Sequence, residues 1–249
     1  MGFPCELILM IQDSTAGYQR WSDLTFLHWR VPADAIQVHL PRGLAVETFD
    51  GSAWIGLVPF SMERVRPWWS PPVPGISWFL ETNIRTYVRT EDGQSGVWFF
   101  SLDANSRLAV AIARKFWNLP YLVARLSLSR QATTNQGIHI CYEGQRRDQP
   151  PASYEIKVNI PSEKPIAAAL GTLEHFLVER YTLFCVDGYG RMHSGQVHHV
   201  PYLIQPVRDI HVRQTLMDAI IPHGVLPNLP DHAAFSTGVD VRVSPIRRI

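Results

Sequence analysis

Short runs of β-branched and aromatic residues, most of them bounded by glycine, proline or polar residues, recur along the whole chain and leave little room for anything but a β-rich fold. They fall at Leu24 to Arg30, Ala53 to Phe60, Trp78 to Arg89 and Gly96 to Leu102. Further runs are Leu122 to Arg130, Gly137 to Tyr142, Tyr154 to Ile160, Tyr181 to Val186, Met192 to Val200 and Val239 to Val243. Glu91-Asp92-Gly93 and Asp187-Gly188 are hairpin signals, because glycine supplies the positive φ of a tight turn. So many strands joined by turns predict a mainly antiparallel β architecture, α+β by helix count.

Three segments break the two-residue alternation with helical period. Ala33 to Leu40 follows Pro32 at a helix start. Ser106 to Phe116 carries the stripe Leu108, Ile112 and Phe116, with Asn105 or Ser106 as cap. Thr172 to Arg180 aligns Leu173, Phe176, Leu177 and Arg180 on one side, and a weaker fourth helix is read near Gln214 to Ile220. No repeat, low-complexity tract or long charged run divides the 249 residues, so one domain over 1–249 is expected. The proline-rich stretch Arg66 to Gly75 blocks regular pairing, and its Trp68-Trp69 pair is expected to fold back as a lid over the core, with a pocket rim or interface patch as the alternative.

Partners follow from charge. A net charge of +1 gives no broad field for nucleic acid or acidic membranes, which leaves a small molecule or a protein. Of 23 cations only Lys115, Lys157 and Lys164 are lysine, so amine nucleophiles are scarce while guanidinium groups that grip carboxylates are plentiful. Cys5, Cys141 and Cys185 are odd in number and far apart, which argues against a disulfide framework and for a reducing cytoplasm. The apolar run Leu7 to Ile11 is too short to span a bilayer and lacks a basic leader, and Gly2 lacks the Ser or Thr at position 6 that myristoylation needs, since Glu6 stands there.

One strand carries an unusual row. Glu81, Asn83, Arg85 and Tyr87 alternate with Thr82, Ile84, Thr86 and Val88, so the four polar or amphipathic side chains share a face. In a functional reading Arg85 binds a ligand carboxylate, Glu81 orients it or exchanges a proton, and Asn83 and Tyr87 complete a pocket wall. A structural ion pair inside a barrel, or a solvated face, is the competing reading. Lys115 lies between Arg114 and Phe116, toward the flank of its helix and near solvent, which argues against catalysis. His193, His198 and His199 cannot form a facial metal site without distant help, and the chain has no HExxH, GxGxxG, P-loop, GxSxG or CxxC. No metal and no cofactor is expected.

The segment Arg114-Lys115-Phe116-Trp117-Asn118-Leu119-Pro120-Tyr121-Leu122 resembles the active-site segment of acetoacetate decarboxylase, where two lysines follow the proline and the first forms the Schiff base. Tyr121 and Leu122 stand there instead, and neither side chain makes an imine. Further blocks match the uncharacterised YqjF-like family of the acetoacetate-decarboxylase-like superfamily. They are Phe26-Leu27-His28-Trp29, Leu40-Pro41-Arg42-Gly43-Leu44, Phe49-Asp50-Gly51, Glu81 to Val88, Gly96 to Asp103, Pro120-Tyr121 and Leu173 to Tyr181, within a match from about residue 21 to 243.

The resemblance implies a β-barrel with flanking antiparallel sheets and a few helices, holding a partly apolar pocket. It puts Glu81 where the decarboxylase has one pocket glutamate, whereas a second acid would fall near Phe60-Ser61-Met62, which has no carboxylate. Tyr121 then takes the lysine's place as hydrogen-bond donor or weak acid, and becomes a base only where Arg114 or Arg85 comes close enough to lower its pKa. Decarboxylation through an imine is implied to be lost, while binding of a small organic acid or carbonyl compound persists, with Arg114 as a further binding residue. Three readings stay open. One is an enzyme using Glu81 and Tyr121, another is a binding or sensory module, and the third is a scaffold with a plugged barrel whose Trp68-Trp69 loop makes a homo-oligomer contact.

Overall fold

A computed structural model describes residues 15–133 and 137–249, so Cys5, the Leu7 to Ile11 run and the Gly2–Glu6 pair lie outside the described residues. In chain order come β1 (Gly17–Val31), α1 (Ala33–Gln37), β2 (Leu44–Val46), β3 (Ala53–Pro67), β4 (Phe79–Thr90), β5 (Ser95–Ala104) and α2 (Arg107–Trp117). Then follow β6 (Tyr121–Ala132), β7 (Ile138–Arg146), β8 (Ser153–Ile160), β9 (Ile166–Ala167), α3 (Leu173–Val178), β10 (Thr182–Val186), β11 (Met192–His198), β12 (Leu203–Pro206), β13 (Arg208–Gln214), β14 (His232–Val243) and β15 (Arg247–Arg248).

The strand pairings run β5-β10-β11-β14-β1-β3-β4 and return to β5 through the β4–β5 ladder, which closes a ring. The closure is thin at two links, since β10 meets β5 and β11 meets β14 at two residue pairs each. From β5 a side sheet, β6-β7-β8-β13, continues outward. The fold is thus the expected barrel with a flanking antiparallel sheet. Most ring strands are antiparallel, whereas β5 takes parallel neighbours in β10 and β6.

Alternation along each strand divides the core. Phe26 of β1, Trp54, Val58 and Phe60 of β3, Tyr87 of β4 and Val239 of β14 point into the ring, where Leu177 and Val178 of α3 join them. Leu27 and Trp29 of β1, Ile55 and Leu57 of β3 and Ile84 of β4 point outward, where Leu126, Ile140, Tyr142 and Ile156 of the side sheet cover them. Burial of each such side chain stabilises the fold by about 1.5–3 kcal/mol. An ion pair stiffens the joint between the sheets: Arg146 of β7 donates through Nε to both carboxylate oxygens of Asp103 on β5, at 3.0 and 3.1 Å, and through Nη2 to Ser101 Oγ at 3.0 Å.

Helix positions match the expected starts. Ser106 caps α2 by accepting from the Ala109 N–H, Thr172 caps α3 by accepting from the His175 N–H, and Asn118 ends α2 in the left-handed conformation. The stripe of α2 is inverted, however. Leu108, Ile112 and Phe116 face solvent, whereas Val110 and Ala113 pack inward against Tyr121 and Leu102. The lid expectation for the tryptophan loop is also corrected, because Trp68 and Trp69 are 63% and 71% exposed. The fourth helix does not form: β13 ends at Gln214 and turns follow. Among the described residues no helix is long and apolar enough to cross a membrane.

Candidate functional site

The row read from β4 does face the ring interior. Register puts Glu81 opposite Ala104 and Asn83 opposite Leu102 on β5, and Leu102 pairs in turn with Tyr121, the first residue of β6. Tyr121 therefore lies two strands over from Glu81 and two residues along, on the same face. The small Ala104 opposite Glu81 leaves room on that face, and the Tyr121 hydroxyl donates to Glu81 Oε2 at 2.6 Å. Glu81 is 3% exposed. Burial pushes its pKa up to about 7, against the hydrogen bonds from Tyr121 and Asn83, which lower it, and with a further push from Asp103. Burial and the Glu81 charge hold the Tyr121 phenol well above its ordinary range, so here the tyrosine is a donor and not a base.

Further along β4, a bulge between Ile84 and Arg85 makes Phe100 the extra residue of β5. Arg85 lies beside Gly56 of β3, and Gly56 lies beside His28 of β1. A Cβ on Gly56 would stand 2.8 Å from the His28 ring and 3.4 Å from Arg85 Cγ, so the absent side chain is what lets His28 and Arg85 approach over it. Arg85 donates from Nη2 to the Leu177 carbonyl at 3.1 Å, and Tyr87 donates to that same carbonyl at 2.7 Å. Both thereby satisfy an orphan carbonyl at the end of α3. The guanidinium also stands 5.4 Å from the Phe26 ring centroid.

His28, fully buried, lies 2.7 Å from the Tyr87 hydroxyl through Nε2 and 3.3 Å from His232 Nδ1 through Nδ1. With the phenol proton given to Leu177, His28 Nε2–H is the donor to Tyr87, and its Nδ1 accepts from His232. Burial, His232 and Arg85 all hold its pKa well below the usual imidazole value, so it is neutral. Several polar atoms among these side chains lack a partner: Asn83 Oδ1, Arg85 Nε and Trp54 Nε1 are all buried without a hydrogen bond. Buried polar groups are ordinarily paired, so these three atoms stand out in the interior.

Other candidates fall elsewhere. Arg114 stays on the exposed face of α2, where Nη2 pairs with Asp148 at 2.7 Å and Nε donates to the Tyr121 carbonyl at 2.6 Å. It holds the backbone of Tyr121 and does not reach the interior. Lys115 and Lys164 are exposed, and Lys157 pairs with Glu155 on the side sheet at 2.5 Å. Glu179 ties the end of α3 to the ring, accepting from the Tyr181 hydroxyl and from the Tyr202 N–H. Among the described residues no group of His, Cys, Asp or Glu is arranged to hold a metal ion. Sequence reasoning missed His28, which entered only within the block Phe26-Leu27-His28-Trp29 and was given no place beside the polar row. Its one signal is period two: His28 alternates with Phe26 onto the inner face of β1.

Comparison with known proteins agrees with this architecture. Uncharacterized protein YqjF of Bacillus subtilis (strain 168) is 33% identical over 231 residues, covering 92% of this chain and 91% of that protein. Among solved structures, an acetoacetate decarboxylase-like enzyme from Sphingomonas wittichii RW1 is similar with a TM-score of 0.64 at 13% identity, over 95% of this chain and 94% of that one. Acetoacetate decarboxylase from Legionella pneumophila superposes with a TM-score of 0.61 at 12% identity, over 94% and 88%. The enduracididine biosynthesis enzyme MppR, solved with pyruvate, gives 0.62 at 14%, over 95% and 91%. At such identities the likeness is one of fold. The model of the DUF2071 family of uncharacterized conserved proteins matches residues 18–240, and with YqjF as a relative across nearly its whole length, the chain belongs to that family.

Proposed function

We infer that the ring interior binds a small carboxylate or carbonyl compound, with Arg85 as its anion anchor, Asn83 and Tyr87 as flanking polar contacts, and the Glu81–Tyr121 pair handling a proton. The observation that carries this is the pair of unpartnered buried atoms on the row, Asn83 Oδ1 and Arg85 Nε, on the face of β4 that packs against the cluster of Phe26, Val58 and Phe60. A carboxylate oxygen at Arg85 Nε satisfies the donor, and a hydroxyl or protonated acid satisfies the amide oxygen. Glu81, titrating near 7, can give or take a proton at neutral pH, which its free counterpart cannot.

Imine chemistry is no part of this function. Tyr121 stands where the similar decarboxylase segment has its lysine, and the three lysines of the chain lie on exposed or side-sheet positions. The pyruvate complex of MppR, a protein of similar fold, supports the ligand class. The free thiols of Cys141 and Cys185 fit a cytoplasmic setting. Thermal shift of the full chain with a panel of small keto and hydroxy acids tests the reading. A ligand at a hundred times its Kd stabilises the folded state by about 2.7 kcal/mol. That stabilisation is expected for wild type and lost in Arg85→Ala, and borohydride with a keto acid is expected to leave no adduct. Stabilisation unaltered in Arg85→Ala, or a covalent adduct on a lysine, contradicts the assignment.

A further inference from the structure

The ladder on one edge of β5 is interrupted. Toward β4 the strand is paired from Ser95 to Ala104. On its other edge β10 meets it only at Val97 and Trp98, and β6 only from Leu102 to Ala104. Phe99, Phe100 and Ser101 have no strand partner there. At this gap lies a cleft of about 390 Å³, walled by Trp98, Phe99 and Phe100 of β5, Phe184 and Cys185 of β10, and Asn118 at the end of α2.

Phe99 belongs to both sides of the wall. It lines the cleft, packs against the cluster inside the ring and against the cluster that contains Tyr121, and has Arg85 as its register partner on β4. A closed ladder leaves no lateral passage, because opening it breaks a row of backbone hydrogen bonds. At the gap, opening needs only the movement of side chains. The rings of Trp98, Phe99 and Phe100 offer flat apolar faces, which suit a flat apolar body, while Arg85, the register partner of Phe99, is a cation on the inner side.

We propose that the gap between β10 and β6 is the entrance to the barrel site, with Phe99 as its gate, and that the ligand is a small carboxylic acid with a flat apolar body lying against the cleft rings while its carboxylate reaches Arg85. The identity of the ligand rests on the function inferred above; the entrance stands on the topology.

The test places a thiol behind the gate and measures how fast a small reagent reaches it. Ala104→Cys and, separately, Tyr121→Cys are made in the full chain with Cys5, Cys141 and Cys185 replaced by alanine, so that one reporter serves where the other fails to fold. Labelling by methyl methanethiosulfonate is expected to be about tenfold faster with Phe99→Ala, and slower with Phe99→Trp, because local opening governs access. Rates that are equal across Phe99 variants, or that follow global unfolding in a urea series, overturn the entrance. Phenylpyruvate is expected to protect the thiol at lower concentration than pyruvate. Labelling that depends on Phe99 without protection by either acid keeps the entrance and overturns the ligand, whereas pyruvate protecting as well as phenylpyruvate overturns the flat-bodied class.

Discussion

The Tyr121 hydroxyl and the Glu81 carboxylate meet at 2.6 Å across the intervening β5, where Leu102 pairs with Tyr121 and Ala104 with Glu81. This hydrogen bond opposes the burial that raises the Glu81 pKa to about 7. Tyr121→Phe removes the donor and raises that pKa further, and the unsatisfied acceptor costs about 1–3 kcal/mol of stability. Carboxyl carbon NMR across a pH titration reads the first effect and urea unfolding the second. A Glu81 pKa that is unchanged or lower contradicts the pairing.

Glu81 also couples stability to pH. Its folded pKa lies above the unfolded value of about 4.5, so the protonated acid favours the folded state. The contribution is whole below about pH 4.5 and is lost as pH rises to about 7, a total of about 3 kcal/mol at 1.36 kcal/mol per unit. Glu81→Gln keeps the neutral form at every pH, so its stability relative to wild type is expected to improve by about that amount between pH 4.5 and 8. A difference that stays flat with pH contradicts the buried carboxyl.

Arg146 and Asp103 are both buried at the joint between ring and side sheet. Arg146→Met leaves the aspartate buried without its cation and is expected to cost about 3–5 kcal/mol. Asp103→Leu added to Arg146→Met is expected to recover most of it, because the pair itself offsets its own desolvation. Urea denaturation of the single and double variants beside wild type checks both statements, and a single variant within error of wild type contradicts them.

Gly56 is required by its neighbours and not by its own backbone. Gly56→Ala puts a Cβ at 2.8 Å from the His28 ring, within a packed core. Overpacking of this kind costs about 1–3 kcal/mol, and the His28–Tyr87 contact is expected to break. The His28 ring nitrogen signals in long-range proton–nitrogen spectra report that contact, and an unchanged tautomer pattern with unchanged stability contradicts it.

The row Glu81, Asn83, Arg85, Tyr87 was legible because strand alternation is local: period two sends these residues to one face whatever the fold does with it. The direction of that face was not local, and neither was ring closure, which depends on the parallel β10–β5 link between residues far apart in sequence. The α2 stripe shows the same boundary. Leu108, Ile112 and Phe116 make the helix amphipathic, but the smaller Val110 and Ala113 fit against β6 and the larger face is left to solvent. Strand β13 escaped notice because Arg-Asp-Ile-His-Val-Arg-Gln carries just two apolar residues, enough for the edge of a side sheet. His28 was visible as a residue and invisible as a partner, since its contacts with Tyr87 and His232 span 59 and 204 positions.

Arg85 Nε, a buried donor without a hydrogen-bond partner, carries the central claim. Its N–H signal in a proton–nitrogen spectrum, assigned by its disappearance in Arg85→Lys, is to be followed while small keto and hydroxy acids are added to the full chain. A saturable downfield shift of that proton is the expected result, as the donor gains a carboxylate oxygen. A signal that stays in place through millimolar additions of every acid in the panel, with the protein folded, would contradict a carboxylate site in the barrel.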